Sequence, residues 1–97
     1  MDTTMQAKSS ADREMNEAMM HMTRTMDSTK MTGDADRDFM VMMIPHHQAA
    51  IDMAKIELRN GKRPLVKTLA HNIIDAQARE IKLMHSWLRQ WYGNASG

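Results

Sequence analysis

Apolar and polar positions along the chain recur with the period of a helix and nowhere alternate as in a strand. At about 100° per residue, Met15, Met19, Met22 and Met26 fall on one stripe, joined at its edge by Ala11 and Ala18. This predicts a first helix over about residues 10–28, capped by Ser9 or Ser10, with Asp12 and Glu14 near its positive end. Thr32, Gly33 and Asp34 interrupt the pattern, and Asp34 is placed to cap a second helix over about residues 35–60. One face of that helix carries Met40, Met43, His47, Ala50, Ile51, Ala54 and Leu58. A second carries Phe39, Met42, Ala49, Met53 and Ile56, so the helix is expected to touch neighbours on two sides. Pro45 withholds a backbone bond from Val41 and predicts a kink just before His46 and His47. Gly61 fits the left-handed position after this helix, and Pro64 fits the first turn of a third helix over about residues 64–92.

The third helix shows a first face of Ala70, Ile74, Ala78, Ile81, His85, Leu88 and Tyr92. Its second face holds Val66, Leu69, Ile73, Met84, Trp87 and Trp91. Gln77 and Glu80 lie inside this second sector. A carboxylate buried there alone would be costly, so Glu80 calls for an imidazole, a guanidinium or a metal ion. The pattern thus predicts an all-α, three-helix up-down bundle over residues 9–92, with flexible tails at 1–8 and 93–97.

Composition changes this picture at one point. Methionine supplies 13 of 97 residues, several times its ordinary share. Methionine is a strong helix former and a flexible filler of core gaps, but its thioether is also a soft ligand that selects Cu(I). Leucine and isoleucine pack with better-defined rotamers, so a stripe of methionine alone is an odd choice for packing only. Cysteine is absent, which excludes disulfides and thiolate ligands and suits an oxidising compartment. Lysine and arginine number 13 against 12 acidic residues, and only four aromatic rings of Phe, Trp and Tyr are present, which argues against nucleic-acid binding. No apolar run approaches the roughly 20 residues of a membrane span, and MDTTMQAKSS lacks the apolar segment of a signal peptide, so the chain is expected to be soluble.

The candidate chemistry follows from spacing. Met40, Met43 and His47 put two thioethers and one imidazole on one stripe, within reach of further thioethers from Met84 or from Met19 and Met22 of the first helix. His46 points about 100° away from His47, so the two histidines serve one ion poorly from a regular helix. His85, next to Met84, is a secondary ligand candidate. His71 lies 14 residues away, roughly 21 Å along the helix, and reads as solvent-facing. Met20, His21 and Met22 form a short cluster whose histidine points away from the stripe and reads as a surface residue. For every single histidine an ordinary core or surface role is the simpler account; the combination with methionine is what favours a metal. Enzyme readings find no support: there is no Glu-x-x-His pair for a di-iron bundle, no HExxH, no nucleophile motif and no glycine-rich phosphate loop.

The segment FMVMMIPHHQAAIDMA, followed by a glycine-containing turn and LAHNIIDAQAREIKLMHSWL, resembles the domain of unknown function family 305 over about residues 35–92. That resemblance implies a ferritin-like helical bundle without the ferritin iron ligands. Its best understood members are CopM-type periplasmic or secreted proteins that bind Cu(I) and Ag(I) and contribute to copper tolerance. It places Met43, His46, His47, Gln77, Glu80 and Met84 on the family's shared positions. Three helices fall one short of a four-helix bundle, and an antiparallel homodimer pairing exposed apolar faces would complete it, with Trp87 and Trp91 as interface candidates or as core.

The resulting expectation is a non-enzymatic protein that binds Cu(I) and Ag(I) as a chaperone or buffer in the bacterial envelope, handing the ion to a transfer partner. Met40, Met43 and His47 are the first candidates for ligands, and His46, Met84, His85, Met19 and Met22 the next. Gln77 and Glu80 are expected to orient a histidine. Neutral imidazole donors would make binding weaken below about pH 6. The alternative is a structural or partner-binding helical module whose methionines line a plastic groove.

Overall fold

The computed structural model describes residues 9–93. The expected tail at 1–8, and all but Gly93 of the one at 93–97, lie outside the described residues. Three helices make up the fold: α1 (Ser10–Asp27), α2 (Ala35–Asn60) and α3 (Pro64–Tyr92), with no strand among the described residues.

The punctuation of the chain is largely chemical. Ser9 caps α1, its hydroxyl accepting from the Asp12 backbone N–H at 3.2 Å. Asp34 caps α2 by accepting from the Arg37 N–H at 3.1 Å, and Pro64 opens α3 where its missing N–H costs nothing. Gly61 departs from expectation: its φ of −73° and ψ of 160° are extended, not left-handed. Glycine is required there for space, because a Cβ would collide with the Glu57 side chain and lie 2.7 Å from the Glu57 carbonyl oxygen. The positive φ values fall instead at Gly33 (91°) and Gly93 (65°), the two turns where a side chain would be strained.

Asp38, in the first turn of α2, ties down the α1–α2 connection. Its carboxylate accepts from the Thr32 hydroxyl at 2.8 Å, from the Thr32 and Gly33 backbone N–H groups, and from Arg37 at 3.1 Å. Burial pushes this carboxyl up, but the bonds from Thr32, Gly33 and Arg37 outweigh it and hold the group below its usual range. At the far end of the chain Tyr92 donates to both Asp34 oxygens at 3.1 Å, which pins the last turn of α3 to the first of α2. Burial, then this bond to a carboxylate, raises the Tyr92 hydroxyl above its ordinary value.

The helices lie side by side with α2 in the middle. It packs against both neighbours, whereas α1 and α3 meet only marginally. The result is a flat layer, 45 × 34 × 17 Å, little more than one helix thick. Two faces of the layer are therefore open. The core runs along the α2–α3 contact, where Met40, Met84 and Leu88 are sealed and Val41, Met43, Ile44 and Tyr92 pack around them. Ala49, Ala54 and Ala70 are buried as well, and their small side chains let neighbouring backbones approach. Leu88, 1% exposed, is the most enclosed large side chain. Its burial contributes about 2–3 kcal/mol by transfer alone.

α1 has no buried residue. Its methionine stripe rests half-covered against α2, and an ion pair between Glu14 and Arg59 fastens its outer side. α2 remains helical through Pro45, so the proline removes a ladder bond without ending the helix.

Candidate metal-binding site

α2 and α3 run antiparallel, so the stripe of Met40, Met43 and His47 meets α3 from its carboxyl-terminal half backwards. Met40 finds Met84 and Leu88 in the sealed core, and Met43 packs against the same cluster. One turn along α2, His47 meets Glu80, with Nε2 2.5 Å from Oε1. The expected need of Glu80 for a partner is thus met by an imidazole across the helix pair. The His47 side chain is 14% exposed and that of Glu80 57%, so the bond sits at the lip of the core.

This contact fixes the imidazole's donor and acceptor roles. An ionised carboxylate only accepts, so in the neutral imidazole the proton belongs on Nε2 and the lone pair on Nδ1. That Nδ1 is buried and has no hydrogen-bond partner. A histidine held by a carboxylate through one nitrogen, with the other nitrogen free and sheltered, is arranged as metal-ligating histidines usually are. Nearby donors are soft: Met43 precedes His47 by one turn on the same stripe, and Met40 and Met84 lie beyond it. Among the described residues no group of three or more His, Asp and Glu side chains gathers as a hard or borderline cation would require.

The other predicted residues are spread out. His46 is exposed, and its ring lies 6.4 Å from that of His47 at 60°, so the adjacent imidazoles diverge as the helical projection requires. Gln77 is half-buried on α3, one turn before Glu80. Met19 is exposed on α1. Met22 and His85 line a separate cavity of about 250 Å³ where α1, α2 and α3 come together, with His21, Pro45 and Gln48 on its walls. His21, read from sequence as a surface residue, thereby shares a cavity with His85. Only the relative rotation of α1 and α3 decides this, and no residue pattern within α1 carries it.

A family model described as Domain of unknown function (DUF305) matches residues 1–88. The chain belongs to this family. The match takes in α1 as well as the α2–α3 pair on which the resemblance rests. A relative within reach is uncharacterized protein L153 of Acanthamoeba polyphaga mimivirus, 43% identical over 53 residues. That alignment covers 55% of this chain and 35% of the viral protein, so the chain spans about a third of its relative's length. DUF305 membership names the family and leaves the chemistry to be argued from the residues. No helix among the described residues is long and apolar enough to cross a membrane.

Proposed function

We propose that this DUF305 protein binds Cu(I), and Ag(I) in the same way, and acts as a copper chaperone or buffer in the bacterial cell envelope rather than as an enzyme. The observation that carries this reading is His47 Nδ1, buried and unpartnered while Glu80 holds the opposite nitrogen. Met43 and His47 would hold the ion, and Met40 and Met84 supply further thioethers from the adjoining core. His46, His85, Met19 and Met22 serve as weaker, outlying donors for capture or release. Thioether and imidazole ligands bind a soft ion firmly yet exchange it readily, which suits transfer to a partner protein. An envelope location agrees with a chain that has no cysteine to oxidise.

Anaerobic titration with Cu(I) against a chromophoric competing chelator tests the proposal. The expected result is one tight site, weakened at least tenfold by His47→Ala and again by Met43→Leu, with helix content unchanged by circular dichroism. Affinity no better than micromolar, or affinity indifferent to both replacements, would sink it. A second reading, a Met-rich module for a protein partner, draws on the exposed Phe39 and the half-covered α1 stripe. It predicts that those same replacements leave metal affinity negligible in every variant.

A further inference from the structure

The flank of α3 beside its contact with α2 carries an apolar seam of its own. Val66, Leu69, Ile73 and Ala76 continue to Leu83 and Trp87 with spacings that alternate three and four once Glu80 is included. That is the repeat by which one helix packs along another. Much of it stands open to solvent: Leu69 is 56% exposed, Leu83 45%, Trp87 36% and Trp91 55%, while Ile73 and Ala76 are half-buried. Trp87 and Trp91 are already stacked on each other, with centroids 5.5 Å apart and planes within 11°, so a flat aromatic slab stands ready at one end. At the other end, Val66 and Leu69 border a groove of about 320 Å³ floored by Ala50 and Met53 of α2.

We infer that this seam is the contact between two copies of the chain, with the α3 helices antiparallel. The seam is complementary to its own reverse. With the two-fold axis near Ala78, Leu65 faces Trp91 of the second copy, Leu69 faces Trp87, Ile73 faces Leu83, and Ala76 faces Glu80. Each large aromatic thus meets an aliphatic residue. The one carboxylate in the seam meets the smallest side chain, where it keeps its bond to His47. Parallel pairing in register would instead place Glu80 against Glu80, and like charges in a seam are destabilising. A stripe about 39 Å long and about 15 Å wide buries ~600 Å² per copy, near the ~800 Å² per partner of a standard stable interface.

The register makes a test that does not depend on metal. The chain has no cysteine, so single replacements report cleanly. Under oxidising, metal-free conditions, a mixture of the Leu69→Cys and Trp87→Cys chains should give the mixed disulfide. Either variant alone should give little. Sedimentation equilibrium of the unmodified chain should show a mass twice 11.2 kDa at high micromolar concentration. Trp87→Glu should return it to monomer with unchanged circular dichroism, since Trp87 is not part of the core. A monomer at that concentration overturns the inference, as does Leu69→Cys linking mainly to itself.

Discussion

Met15, Met19, Met22 and Met26 of α1 and Met40, Met43 and Met84 of α2 and α3 are equally regular along the chain, yet they end in different environments. α1 contains no buried residue, whereas Met40 and Met84 are 5% and 6% exposed. The difference arises from the neighbours and not from the stripes. α2 and α3 pack closely on each other, whereas α1 packs mainly on α2 and meets α3 only marginally. The same thioether is therefore sealed into packing in one region and left partly open to solvent in the other, with Met43 and His47 at the boundary.

Three measurements bear on this contrast, in order of decreasing effect. Removing Leu88 or Met84 should cost about 2–5 kcal/mol, as large-to-small changes in sealed cores do. In urea unfolding, Leu88→Ala and Met84→Ala should both shift the midpoint strongly. A loss below about 1 kcal/mol would mean that the α2–α3 core is not where stability resides.

The second is a pH effect at the junction of the two regions. Asp38 has a folded pKa lowered from 3.8, so its contribution is fully present above the ordinary carboxylate range and lost as pH falls below it. Tyr92 is raised above 10.0, so its contribution is present below that value and lost as pH climbs through the folded pKa. Melting temperature should thus decline at both extremes. Asp38→Asn should flatten the acid limb and Tyr92→Phe the alkaline one. An acid limb unchanged by Asp38→Asn would show that the α1–α2 connection does not depend on that carboxylate.

The smallest effect belongs to α1. Met19→Ala should change stability by no more than about 0.5 kcal/mol, because an exposed side chain forfeits little packing. A cost comparable to that of Met84→Ala would erase the distinction between the two sets.

Much of this arrangement is legible in the residues. Ser9, Asp34 and Pro64 mark helix starts through their own hydrogen-bonding and ring geometry, so local sequence suffices. Glu80, placed in an apolar sector, announced a partner, and the structure supplies His47. Gly61 was misleading because glycine serves two purposes: here it avoids Glu57 and does not adopt positive φ. The second face of α3 reads as apolar, but periodicity cannot say whether a neighbour covers it. Trp87 and Trp91 prove to be exposed for that reason. The free Nδ1 of His47 was likewise out of reach, since it depends on which nitrogen a residue 33 positions away engages.

A helix with nothing buried, joined to the remainder by a turn gathered around one carboxylate, can leave without dragging the others along. α1 is in that sense a separate foldon. Its amides should exchange with solvent deuterium through an opening well below the free energy of global unfolding, while those of α2 and α3 wait for the whole core to dissolve. In the interval, the cavity that Met22 shares with His85 would be dismantled and His85 left open to solvent. Exposure of His85 is then governed by how often α1 lifts.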